Sequence, residues 1–328
     1  MLLRACELLA KAARGGGGDF GQCLREAQQA IGTAGREELT GAANLLADTS
    51  AEVMPQKGGW LAVLAGALAE RGADVDGIPV VERLSGIAAG ALTFADAWGP
   101  NPPDPARGPS QQIWERARSL MGERARIPMQ CWFALPQFAM SALTLLTYSP
   151  ATRAAVRDHD EFVDRAAEYC PDLEYVRDLR RMLDGEDLLV LDRTSRQGWT
   201  VTIRGIGDNF QFHTLLAALL VGRDLPGQPP DPRWVRSFTN GEVEPGTPPV
   251  TGWWRLTDAH GEQIWNEGVP ADIPELGGTR VVVLDPPPYP HSWSPGRRFP
   301  LIPGSLVLGA AYHPDDLAPW WPVLKPPR

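Results

Sequence analysis

A chain of 328 residues, 43% apolar and 22% charged, is long enough for two domains and has a globular composition that excludes global disorder. Its formal net charge of −9 repels phosphate backbones and no basic run offsets it, so nucleic acid is not an expected partner. Cys6, Cys23, Cys131 and Cys170 form no CxxC pair, which argues against a zinc site or a disulfide framework and suits a reducing compartment.

The first segment, MLLRACELLAKAARGGGG, carries an acid within its apolar run and no cleavage site, so it reads as an amphipathic helix rather than a signal peptide. Helical periodicity then continues almost unbroken. It predicts helices at 2–14, 19–31, 36–48, 59–71, 78–97, 110–125, 128–148, 150–157, 160–169 and 172–183. The GGGG run before Asp19 and the Gly58-Gly59 pair before Trp60 act as stop and start signals. Only GPNPPDPARGPS, residues 99–110, forms a long proline-rich break. Residues 127–149 contain no charge and are long enough to span a bilayer. Their glutamines, Ser141, Thr144 and the kinking Pro136 favour a helix buried in protein, with no membrane partner.

Short connectors and the lack of a fixed period leave two architectures for residues 1–184, an irregular bundle or a degenerate HEAT- or armadillo-like α-solenoid. The solenoid is the modest preference.

From residue 185 to 328 the periodicity changes to that of a small tryptophan- and proline-rich α+β module with antiparallel hairpins. LLVLD (188–192) and WTVTIRG (199–205) read as one hairpin. WWRLT (253–257) and EQIWNEG (262–268), around the turn Asp258-Ala259-His260-Gly261, read as a second. Strands are also expected at 279–285 and 305–311.

Between them, GIGDNFQFHTLLAALLVG (205–222) admits three readings. A dinucleotide turn needs GxGxxG, and Phe210 stands where the third glycine belongs. A capped helix explains more. Asp208 accepts from the amide of Gln211, Gln211 reaches back to the amide of Asp208, and Phe212, Leu215, Leu216 and Leu219 form the buried stripe. The third reading is a site around His213, in which Asp208, Asn209 and a more distant His291 serve acid/base or metal-assisted chemistry. Four of the five histidines fall in this module, and convergence with Asp208, Asp272 or Asp285 would make a transition-metal site. Their spacing matches no ligand motif, so neither metal nor cofactor is expected. The DHDEF run at 158–162 is better explained as acids at a helix N-terminus, and Ser195 has no partner for nucleophilic catalysis.

Eight of the 12 tryptophans lie at or after residue 199. Indoles offer large rigid contact area, which makes Trp253, Trp254, Trp265 and Trp293 candidate binding residues, and one of the adjacent Trp253 and Trp254 should meet a loop or a partner. The extended strap 285–304 adds Tyr289, Arg297 and Arg298 as an aromatic and cationic patch.

The preferred reading is a cytoplasmic bacterial protein that binds a protein or peptide as an accessory, regulatory or immunity-type factor without catalysis of its own, on the strength of helical repeats that present extended surfaces, the aromatic enrichment and the lack of catalytic signatures. The alternatives are an enzyme centred on His213 and a carbohydrate or small-molecule binder using Trp253, Trp265 and Trp293. Oligomeric state is left open.

Overall fold

A computed structural model describes residues 1–157 and 159–328, and the chain divides into two compact units, Met1–Arg181 and Met182–Arg328. Within the DHDEF run, Asp158 lies outside the described residues.

The first unit is helical: α1 (Leu2–Ala13), α2 (Phe20–Ala30), α3 (Arg36–Glu52), α4 (Pro55–Glu70), α5 (Ile78–Trp98), α6 (Gln111–Met121), α7 (Arg126–Tyr148), α8 (Pro150–Ala155), α9 (Glu161–Ala166) and α10 (Asp172–Arg180). Local chemistry sets the starts. The side chains of Asp19, Ser110 and Ser149 accept amide hydrogens at the heads of α2, α6 and α8. Asp160 does so for α9 and also pairs with Arg180 at 3.1 Å. The sequence places the start of α4 too late. Pro55 opens it, and Gly58 and Gly59 lie inside the helix, where a side chain would press on Phe138 and Gln137 of α7. The glycine pair is a packing surface for a neighbouring helix rather than a start signal.

Helix α7 sits at the centre of this unit, packing on α4, α5 and α10. Packing among helices distant in sequence is the habit of an irregular bundle, whereas a solenoid stacks each repeat on its neighbours. Trp132 of α7 touches Phe94 and Tyr169 at ring separations of 5.4 and 5.2 Å. Its indole donates to the Pro103 carbonyl at 2.8 Å and so ties down the proline-rich break. Pro136 lies within α7 without ending it. Among the described residues, one helix, α5, has the length and apolarity to cross a membrane, and half of that stretch is buried within the protein. Cys6, Cys131 and Cys170 are buried and unpaired, and burial pushes each thiol up to about 11. Cys23 is also free and is half-buried.

The second unit is α+β. Its strands are β1 (Glu186–Asp192), β2 (Gly198–Arg204), β3 (Val250–Thr251), β4 (Arg255–Thr257), β5 (Glu275–Leu276), β6 (Thr279–Asp285), β7 (Ser292–Trp293) and β8 (Ser305–Tyr312), with helices α11 (Asn209–Leu220) and α12 (Pro232–Thr239) after β2. The main sheet runs β4-β6-β1-β2-β8, with β5 also paired to β6, while β3 and β7 form a separate pair. β1 and β2 make the expected antiparallel hairpin. β1 also pairs with β6 in parallel, in register Val190 to Val282, which was not foreseen among antiparallel hairpins. Leu188, Val190, Val201, Ile203, Val282 and Leu284 share a core with Phe212, Leu216 and Leu220 of α11. Leu189, Leu191, Val281 and Val283 form a second core with Leu317 and Leu324 of the final segment. The alternation of the strands thus feeds two buried layers.

The second predicted hairpin forms only around its turn, where Glu262 accepts from Asp258 N–H and Leu256 accepts from Ile264 N–H, both at 2.9 Å. β4 is three residues long and pairs with β6, and Thr257 bridges across to Gln263. Asp258 accepts from the amides of His260 and Glu262 at 2.8 and 3.0 Å, which closes the turn tightly. Beyond Ile264 the chain leaves its partner strand, and its carbonyls serve the head of α11. Gly268 accepts from Asn209 N–H at 2.9 Å and Asn266 accepts from Phe210 N–H at 3.1 Å.

Candidate functional site

The local build begins at the turn into α11. Gly205 has φ +63°, and a side chain there would collide with the Pro303 carbonyl, so this glycine serves backbone geometry and close packing. Asp208 caps the helix, accepting from Gln211 N–H at 2.8 Å. The reciprocal bond differs from the sequence expectation. Gln211 accepts from the amide of Gly207, not Asp208, at 2.9 Å, and its Nε2 donates to the Phe238 carbonyl at 2.7 Å. Burial pushes the Asp208 carboxyl up to about 6, opposed by the Gln211 amide and by the charge of Arg298. Leu219 is only half-buried, whereas Asn209, Gln211, His213 and Thr214 are buried with the apolar residues, so nearly the whole circumference of the helix is enclosed.

His213, one turn into α11, is 1% exposed. Its ring stacks on Trp254 at 5.7 Å and an 18° tilt, and has Trp293 at 5.1 Å, His291 at 5.9 Å and Trp253 at 6.2 Å. Nε2 accepts from the backbone N–H of Trp253 at 3.3 Å. A neutral imidazole that accepts at Nε2 carries its proton at Nδ1. Burial drives the His213 pKa down to about 3, helped by His291 and opposed by the Asn266 side chain. Asn266 is close enough to favour the proton on the ring, yet Nδ1 has no hydrogen bond of acceptable geometry.

Around this ring the chain forms a cleft of about 250 Å³. Its walls come from α11 (Phe210, His213), from β4 with the residue before it (Trp254, Arg255, Leu256), from the departing loop (Gln263, Ile264, Trp265, Asn266, Glu267) and from the strap (Pro288, Tyr289, His291, Ser292, Trp293). Trp254 and Trp293 are buried, while Trp265 and Tyr289 stand 66% and 63% exposed at its rim. Phe210 packs on Trp293 at 5.5 Å.

Six residues singled out in the sequence therefore meet here: His213, His291, Trp254, Trp265, Tyr289 and Trp293. The others are elsewhere. Asn209 supports the wall from behind, its Nδ2 donating to the Trp265 carbonyl at 2.8 Å. Trp253 packs on Trp234 at 6.2 Å and donates to the Gln228 carbonyl at 3.0 Å, the loop contact expected of one of the adjacent indoles. Asp208 is occupied in its cap. Arg297 is a clamp for the end of α12, donating to the carbonyls of Ser237 and Gly241 at 3.0 and 3.1 Å, and Arg298 faces Asp208. Neither arginine lines the cleft with Tyr289 and Trp293. Asp285 is taken up by Arg193 and the Thr257 hydroxyl, and Asp272 accepts from Val269 N–H. Among the described residues no group of three or more His, Cys, Asp or Glu is arranged to hold a metal ion.

Phe210, Arg255, Gln263, Asn266 and Glu267 were not picked out from the sequence. A strand assignment for 262–268 hid the loop residues, since alternation sends every second side chain to the far face. The sequence signal that could have found them is the same Asn-Glu-Gly that follows Trp265.

A second hollow, of about 400 Å³, lies on the other face of the sheet, lined in part by Asp187, Thr200, Tyr312, Asp316 and Trp320. Several of its polar groups already have partners. Asp187 accepts from Thr202, Asp316 from His313 N–H, and Thr200 bonds the Tyr312 hydroxyl at 3.0 Å. Comparison with protein-family models, curated proteins and solved structures finds no match.

Proposed function

We propose that the chain is a protein- or peptide-binding accessory factor, acting in the cytoplasm without catalysis of its own, and that its partner docks at the aromatic cleft of the second unit. The observation that supports this most is the convergence of Trp254, Trp265, Tyr289 and Trp293 from three separate segments around a concave surface. Large aromatic anchors at the floor with exposed rings at the rim are the anatomy of an interaction hot spot. The free thiols are in keeping with a reducing compartment.

The same geometry speaks against the acid/base alternative. A general base works best with a pKa near the operating pH, and His213, at about 3, holds no proton to give at pH 7 and accepts one poorly. Its ring neighbours are aromatic, and the candidate acid Asp208 is engaged in its cap.

The test is positional. A photo-reactive residue at the exposed rim position 265, and in a separate protein at the exposed position 140 of α7, is irradiated in extract of the producing cell. One polypeptide adduct from position 265, missing from position 140 and lost when Tyr289→Ala is added, supports the proposal. Equal labelling from both positions, or none from 265, contradicts it.

A further inference from the structure

The two edges of the main sheet are finished differently. At one, β4 is three residues long, and its outer side is taken up by its own turn, with Leu256 accepting from Ile264 N–H at 2.9 Å. At the other, β8 runs for eight residues, SLVLGAAY, with neither charge nor proline. Exposed edges in natural proteins are ordinarily guarded by charges, prolines or bulges, because unpaired backbone groups accept any extended chain. β8 has one such guard. Leu308 lies opposite Val201 and Ala311 opposite Trp199, so an extra residue is taken up at Gly309-Ala310, and the run 305–308 before it is left unguarded. One bond fixes where its backbone points. Asp192 N–H donates to the carbonyl of Gln197 at 2.9 Å, continuing the β1–β2 register, and residues of an antiparallel strand bond alternately to one side and the other. Trp199, Val201 and Ile203 therefore bond to β1, and Thr202 and Arg204 turn to β8, where they meet Val307 and Ser305. The N–H and C=O of Leu306 and Leu308 are left pointing away from the sheet. No other backbone group among the described residues bonds to them.

We infer that β8 pairs antiparallel with β8 of a second copy of this chain, about a two-fold axis at Val307, and so joins two main sheets into one. In that register Leu306 lies opposite Leu308 of the second copy, each N–H donates to the other's carbonyl, and both backbone groups of each leucine are satisfied. Val307 meets Val307 of the second copy in a non-hydrogen-bonded pair, where side chains come closest and β-branched residues pack well. Its side chain is 54% exposed in the single chain, and the pairing covers it. Leu306 belongs to the sheet core and Leu308 packs on it, so setting one beside the other continues the apolar layer from copy to copy. Charge selects the occupant. The run carries no charge with which to choose a foreign strand, and against itself it meets no like charge. Because the β4 edge is already closed, two copies complete the assembly and no filament follows.

The test is sedimentation of the intact chain over a rising concentration series, which is expected to show monomer passing to dimer with no larger species. Val307→Lys, at an exposed position, sets like charges against each other at the axis and is expected to raise the dimer dissociation constant at least tenfold. Val307→Thr, β-branched and neutral, is expected to change it less than threefold. Residue-resolved hydrogen exchange then identifies the surface. The amides of Leu306 and Leu308 are expected to exchange quickly in the monomer and slowly in the dimer, while the amide of Val307, which bonds within the sheet, is slow in both. A chain that stays monomeric up to its solubility overturns the inference. So does a dimer in which Leu306 and Leu308 exchange at the monomer rate, or one that Val307→Lys leaves intact. Protection of those two amides only when the polypeptide cross-linked at position 265 is present would assign the edge to a foreign strand, and the second copy would be the wrong occupant.

Discussion

Enclosing one imidazole among aromatic rings gives the second unit a pH response of definite sign. His213 has its pKa lowered to about 3 by burial, while the same ring in the unfolded chain titrates near 6.5. Above pH 6.5 both states are neutral and the full stability is present. As the pH falls below 6.5 the unfolded chain binds the proton first and stability is lost, continuing down toward pH 3. From pH 7 to pH 5 the loss amounts to about 2 kcal/mol. Asp208 acts in the opposite sense. Its pKa is raised to about 6, so its contribution is complete below the unfolded value of 3.8 and disappears as the pH rises through 6. Urea unfolding in an Asp208→Asn background, which keeps the cap acceptor, isolates the histidine. The pH 7 to 5 loss is expected there and is expected to vanish when His213→Gln is added. A loss that persists unchanged in the double variant would show that His213 is not its source. Asp208→Ala, which removes the cap itself, is expected to cost about 1 kcal/mol at pH 7, read from the urea midpoint.

At the scale of elements, Arg297 is expected to matter to stability and not to binding. Its guanidinium bonds two carbonyls at the end of α12, so Arg297→Ala is expected to destabilise the second unit by about 1–3 kcal/mol while cross-linking from position 265 is unchanged. Lost cross-linking at full stability would return this arginine to the binding surface. The same element shows what a sequence can disclose. The spacing of Asp208 and Gln211 declares the start of α11, because capping is local chemistry within four residues. The β1–β2 hairpin is equally local. The parallel pairing of β1 with β6 joins residues about 90 apart, and alternation marks the strands without naming their partners. The loop 262–268 misled for a related reason. Its apolar-polar pattern resembles a strand and pairs as one as far as Ile264, but the carbonyls of Asn266 and Gly268 bond to α11, and no pattern within the segment records a contact with a helix more than fifty residues earlier. Of the cleft, the tryptophans and histidines were legible as residue types. Arg297 was misplaced because an arginine that clamps backbone carbonyls has the same signature as one that faces solvent, and Arg298 because nothing local announces that it faces Asp208.

At the scale of the whole molecule, the division into Met1–Arg181 and Met182–Arg328 assigns separate cores to the two units. Leu183 belongs with the sheet core, which explains why the boundary precedes the last residues of the helix expected at 172–183. A fragment of residues 182–328 contains both layers around the sheet and every residue that lines the cleft. It is expected to unfold cooperatively in urea. A fragment without a cooperative transition would show that the second unit depends on the first.

The most direct test of the cleft as docking site is hydrogen–deuterium exchange on the intact chain, free and joined to its cross-linked polypeptide. Slowed exchange is expected in 263–267 and 288–293, the two walls that carry Trp265 and Tyr289, with the helical unit unchanged. Protection confined to other segments, with those two exchanging as they do in the free protein, would contradict it.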